Sequence, residues 1–182
     1  MRHYIALLGG INVGGHRVKM AELAARFAEL GFSSVETFIA SGNVIFESDE
    51  EDAARLARQI EQHLAQALGY AVPTFLRTTQ EIAAIAEYAP FPHLPPIEAG
   101  HTLSVFFMAD ALPDTTAAAL LALRTPMDEF HVAGREVYWL CRGKTMESLV
   151  DWTRRGNRLL PPLTARNITT VRKLAAKYAP WP

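Results

Sequence analysis

Tyr4–Met20, YIALLGGINVGGHRVKM, reads as an apolar strand, a glycine-dense turn and the opening of an amphipathic helix. Gly9, Gly10, Gly14 and Gly15 flank Ile11, Asn12 and Val13, so the backbone there can reach positive φ and approach another group closely. A strand-to-helix turn of this kind offers N–H groups to an anion at the helix N-terminus. Neither familiar phosphate fingerprint is complete. Gly10 and Gly15 have P-loop spacing, but His16 and Arg17 stand where Lys and Ser/Thr are needed, and no G-x-G-x-x-G can be read. Two readings stay open: an anion cradle using Asn12, Gly14 and Gly15, or a tight packing turn that Asn12 ties to itself.

Outward from this stretch, Met20, Leu23, Phe27 and Leu30 fall on one helical face that stops at Gly31. Val35 to Ala40 and Asn43 to Glu47 are β-rich runs around Ser41-Gly42, which predicts a hairpin in which Asn43 is a turn residue or a ligand contact. Ser48 and Glu51 form a capping box for a helix carrying Leu56, Ile60, Leu64 and Leu68 up to Gly69, and Val72 to Arg77 is the next strand. The order β-α-β-β-α-β is ferredoxin-like. Thr78 and Glu81 cap a further helix reaching about Tyr88.

PFPHLPPIEAG then places four prolines close together, and the order of elements repeats. The second round is a strand from His101 to Met108, a helix opened by Asp114 with Leu120 and Leu121 inward, strands Glu129 to Val132 and Glu136 to Cys141, a helix near Thr145 to Thr153 and a short strand near Leu163. A last helix, Ile168 to Tyr178, packs through Ile168, Val171, Leu174 and Tyr178, with Asn167 as its N-cap. No residue-level repeat links the two rounds. The expected fold is α+β: two ferredoxin-like (βαββαβ) halves with antiparallel sheets plus a C-terminal helix. The expected domains are residues 1–90 and 101–182, with 91–100 as a Pro-rich linker.

Together with ASGNVIFES (Ala40 to Ser48) and TARNITTVRKL (Thr164 to Leu174), the opening stretch resembles the bacterial family called domain of unknown function 1697. Members of that family typically read ALLRGINVGG, SGNVVFES and TTRNWNTVTKL. The resemblance covers nearly the whole chain in the same order and implies an α+β fold of two similar halves, but no activity. Three departures stand out. Gly9 replaces an arginine, Ile168 replaces an aromatic, and a Gly-rich stretch ahead of a lysine is shortened to Cys141-Arg142-Gly143-Lys144. A role for that arginine finds no side chain at Gly9.

At 182 residues, 49% hydrophobic and 20% charged, the chain can bury a core unaided. Its single cysteine excludes an intrachain disulfide and any multi-cysteine metal site, and fits a reducing, cytoplasmic setting. No apolar run is long enough for a signal peptide or membrane span, so no membrane partner is expected. The 18 Lys/Arg and 19 Asp/Glu are unevenly spread: residues 142–182 hold nine of the former against only Glu147 and Asp151. Such a basic segment attracts phosphates or docks on the acidic remainder of its own chain.

Within it, Arg142-Gly143-Lys144-Thr145 ends like a P-loop but has Tyr138 where the first glycine belongs, leaving a basic turn before a helix. Arg166 and Asn167 pair a guanidinium with helix-terminal N–H groups, an oxyanion arrangement, or Arg166 salt-bridges to the acidic half. The six histidines lack metal-site spacing, G-x-S-x-G is absent, and neither metal nor cofactor is expected. The expected function is a non-enzymatic binding protein for a phosphorylated small molecule or other anion, held by Asn12, Gly14, Gly15, Asn43, Arg142, Lys144, Arg166, Asn167 and Lys173. One alternative is an enzyme acting on an anionic metabolite between the halves, for which His16 is the nearest acid–base group. A further alternative is a nucleic-acid-binding or interaction module, although NVIFE on the third strand lacks the basic-aromatic signature of RNA binders of this order.

Overall fold

The structure, a computed structural model, describes residues 1–12, 15–94, 99–150, 152 and 159–179. Contacts divide the chain into two units, Met1–Ala86 with Arg172 onward, and Glu87–Val171. The first unit runs β1 (Arg2–Leu8), α1 (Met20–Glu29), β2 (Ser33–Thr37), β3 (Asn43–Ser48), α2 (Ala53–Leu68), β4 (Thr74–Thr78) and α3 (Thr79–Glu87, whose last residue falls to the second unit). Its antiparallel sheet has the order β2-β3-β1-β4. The second unit runs β5 (Thr102–Met108), α4 (Asp114–Leu121), β6 (Asp128–Ala133), β7 (Glu136–Cys141), one 3-10 turn (Thr145–Glu147) and β8 (Leu163–Asn167). Its sheet order, β6-β7-β5-β8, repeats the first. The fold is thus α+β with two four-stranded antiparallel sheets and a C-terminal helix, α5 (Ile168–Tyr178).

In the first unit, α1 and α2 lie on the face of the sheet bearing Tyr4, Ala6, Leu8, Val44, Phe46 and Leu76. Leu23 and Phe27 from α1, with Leu56, Ile60 and Leu64 from α2, supply the other layer; each fully buried aliphatic chain stabilises by about 1.5–3 kcal/mol. In the second unit, Leu120 of α4 joins Phe106, Met108, Phe130, Val137, Trp139 and Cys141. The opposite sheet faces are also buried, through Ile5, Leu7, Ile45 and Phe75 in the first unit and Val105, Phe107, Tyr138 and Leu140 in the second.

Local signals decide the ends of these elements. Thr78 and Glu81 form the expected reciprocal cap: Thr78 N–H donates to Glu81 Oε2 (2.7 Å) and Glu81 N–H to Thr78 Oγ1 (3.1 Å). The cap of α2 is instead Asp52, whose Oδ1 accepts from Ala54 and Arg55 N–H (3.0 Å each), while Ser48 ends β3 and accepts from Glu50 N–H. The Ser41-Gly42 hairpin is longer than expected, because β2 stops at Thr37 and Phe38 N–H donates to Asn43 O across the loop. Leu121 is 42% exposed, since adjacent helical residues lie about 100° apart and Leu120 takes the inward direction. Of the helix expected near 145–153, the described residues hold the 3-10 turn and one helical residue, Trp152; 151 and 153–158 lie outside them.

We propose residues 91–100 as the linker between separately folded parts, and limited proteolysis is expected to cut there first. Early cleavage inside residues 20–70 with 91–100 intact would contradict the proposal.

Candidate functional site

The two Gly/Asn turns expected from the sequence meet at one end of the first sheet. Asn12, at φ 57°, donates from Nδ2 to Ala40 O (3.1 Å) and accepts at Oδ1 from Val18 N–H (2.8 Å). Leu8 N–H donates to Gly42 O (2.8 Å), and a Cβ added to Gly42 would lie 3.1 Å from Ile11 Cβ and 3.2 Å from Leu8 Cβ. Asn43 is buried and donates to Phe38 O (3.0 Å) and Ser41 Oγ (2.8 Å). The Asn12 amide therefore ties its loop to the other, and the Asn43 amide braces its own loop. Gly15 is exposed with open space around it, and Gly14 lies outside the described residues. His16 stacks on Tyr70 with ring centroids 3.7 Å apart. Gly9 has no positive φ, and a Cβ there would make ordinary contact with Pro73, so the turn does not demand glycine at that position.

Of the other expected residues, Arg142, Lys144, Arg166 and Asn167 lie in the second unit and Lys173 in the first. Cys141 pairs with Thr102 and Asn167 with Ser104, so Arg142, Lys144 and the first turn of α5 sit at the same end of β5. Arg142 donates to Pro126 O (3.2 Å) and pairs with Glu129 (3.6 Å). The Lys144 side chain is exposed, and its backbone N–H donates to Glu147 Oε2 (2.8 Å), which brings a carboxylate to the basic turn. Asn167 caps α5, accepting from Thr169 N–H (2.9 Å). Lys173 is exposed on α5, and the neighbouring Lys177 pairs with Glu36 and lies over the Tyr178 and Phe38 rings at 4.8 and 5.8 Å.

Arg166 is 7% exposed, on the sheet face away from the helices, and donates from Nη1 to Thr164 Oγ1 and Ala165 O (2.8 Å each). Burial pushes its pKa down to about 10, so it stays charged at neutral pH. Arg77 is its counterpart in the first unit. It pairs with Ile5 as Arg166 pairs with Val105, is 1% exposed, and donates to Leu76 O (2.7 Å). The sequence signal was a lone Arg in the apolar run VPTFLRT.

Sequence reasoning also missed a cavity of about 600 Å³ on the helix-bearing face of the second sheet. Phe106, Trp139, Trp152, Leu160, Pro161, Pro162, Leu163 and Ala165 line it. Trp152 meets Trp139, Phe106 and Phe130 edge-on, with centroids at 5.0, 5.6 and 5.7 Å. Behind this wall, buried Asp128 accepts from Thr125 Oγ1 (2.7 Å), Ser148 Oγ (2.7 Å), Trp139 Nε1 (2.9 Å) and Leu149 N–H (3.1 Å). Burial raises its pKa, but these donors outweigh burial and hold the carboxyl below its ordinary value. The clue in the sequence was the gathering of all three tryptophans after residue 138.

Among the described residues, no group of three or more His, Cys, Asp and Glu could hold a metal ion, and no helix is long and apolar enough to cross a membrane. No curated protein matches the chain. The solved structure of the conserved bacterial protein SP0830 from Streptococcus pneumoniae resembles it over 98% of this chain and 98% of its own, with a TM-score of 0.77 and 23% identity, a likeness of fold. Residues 1–138 match the family described as Protein of unknown function (DUF1697), and the chain belongs to that family.

Proposed function

We propose that this protein binds a small molecule without transforming it, and that the aromatic cavity of the second unit is the seat. The carrying observation is the cavity itself: about 600 Å³, within the range of ligand pockets, with two Trp, one Phe and two Pro among its lining residues. A specific observation favours a second reading, recognition of a phosphorylated compound or other anion. Arg142, Lys144 and the N-terminus of α5 gather at one end of β5, with Lys144 exposed. Against this, Arg142 faces Glu129, Glu147 adjoins the turn, and Arg166 bonds to its own strand.

The test is a melting panel of nucleotides, sugar phosphates, short oligonucleotides and uncharged aromatic compounds, with each bound compound recovered and weighed by mass spectrometry. A compound at about 100 times its Kd adds roughly 2.7 kcal/mol. The first reading expects an uncharged aromatic hit recovered unchanged. A phosphorylated hit lost in Lys144→Ala supports the second reading. A chemically altered compound overturns the non-enzymatic reading, and a silent panel overturns both.

A further inference from the structure

The cavity walls restrict what they can hold. None of its lining residues carries a charged side chain, so an ionic occupant would lose hydration without gaining a counter-charge. The rings set inclined walls, with Phe106 and Trp139 centroids 5.8 Å apart at 58° and Trp139 and Trp152 5.0 Å apart at 62°. Such surfaces favour a flat ring that stacks on one wall and meets another edge-on.

Two side-chain polar groups belong to the lining, and they differ. Trp139 Nε1–H is bound to Asp128 Oδ1 at 2.9 Å, which leaves it nothing to offer. Trp152 Nε1–H is buried and has no acceptor. Indole N–H groups ordinarily find a partner when buried, and one left without carries an uncompensated desolvation cost. Trp152 as a whole is only half-buried, and its indole must turn for the N–H to meet an occupant.

We propose that the cavity takes a planar, uncharged aromatic or heteroaromatic ring bearing a hydrogen-bond acceptor on its edge, and that the acceptor meets the Trp152 indole N–H. The inference rests on the binding reading above and specifies its ligand class.

Quinoline and naphthalene test it, since the two have the same shape and only quinoline carries an acceptor nitrogen. The full chain, labelled with nitrogen-15, carries three tryptophans, and Trp152→Phe identifies the Trp152 indole signal. Both probes are expected to move the Trp139 and Trp152 signals, and quinoline alone to shift the Trp152 N–H downfield. After correction for water-to-octanol partition, quinoline should bind about three- to tenfold more tightly, the worth of one hydrogen bond. Trp152→Phe should remove that advantage and leave naphthalene nearly unaffected. Ala165→Trp, at an exposed lining position, should exclude both probes and keeps the test open if Trp152→Phe does not fold.

Naphthalene binding as well as quinoline in the parent overturns the acceptor while the binding reading stands. Neither probe disturbing the indole signals overturns the cavity as a seat for aromatic rings. The binding reading then falls only if the wider panel is also silent.

Discussion

Gly42→Ala is expected to lower stability by about 3 kcal/mol in a denaturant titration against the parent. Position 42 sits at φ 73°, where an L side chain costs about 1–2 kcal/mol. The added methyl also meets Ile11 Cβ at 3.1 Å and Leu8 Cβ at 3.2 Å, closer than packed carbons lie, and forcing extra volume into a packed core costs about 1–3 kcal/mol. Neither neighbour can withdraw cheaply, because Leu8 N–H is bonded to Gly42 O and both side chains are buried. Gly10→Ala is the control. It has a similar φ of 75° but nothing within 4 Å, so only the backbone component remains. Equal losses for the two variants would mean that the contact between the turns contributes nothing.

Asp128→Ala is the more damaging change, at about 3–5 kcal/mol, because it strands the hydroxyls of Thr125 and Ser148, the Trp139 indole and the Leu149 amide at once. Its pH dependence has a definite sign. The folded carboxyl titrates below its ordinary value, so its contribution is complete above the unfolded pKa of about 3.9 and is lost as pH falls through the lower folded value. The stability gap between the parent and Asp128→Asn should therefore be widest near neutrality and narrow as pH approaches 3. A gap independent of pH, or a loss under about 1 kcal/mol for the alanine variant, would show that the carboxylate is not what these donors require.

Periodicity carried the fold where a helix presents one unambiguous stripe, as α2 does with Leu56, Ile60 and Leu64, and failed in α4, where only Leu120 is buried. The misplaced start of α2 has a physical origin. In SDEED, residues 48–52, several side chains can accept from a helix N-terminus, and only tertiary pairing of Ser48 with Arg2 in the sheet excludes the first of them. Asn12 and Asn43 were legible as turn residues, but the Asn12 bond to Ala40 spans 28 positions and follows from no local rule. The cavity was illegible for the same reason. Phe106, Trp139 and Ala165 sit on three strands, and only the register, Phe106 opposite Ala165 and Val137, makes them neighbours. A strand pattern states which face a residue takes, not whom it meets there.

Cys141 is the chain's one thiol, buried at the end of β7, where Sγ donates to Lys144 O (3.3 Å). Burial first, then the charges of Asp128 and Glu147, push its pKa up, so both access and thiolate formation are withheld while the strand is closed. An alkylating reagent then reacts only with molecules in which β7 has opened, at a rate set by how often that happens. The native chain carries its own stopwatch for the second sheet, read by mass without any engineered label, in which every tenfold slowing marks about 1.4 kcal/mol of local protection.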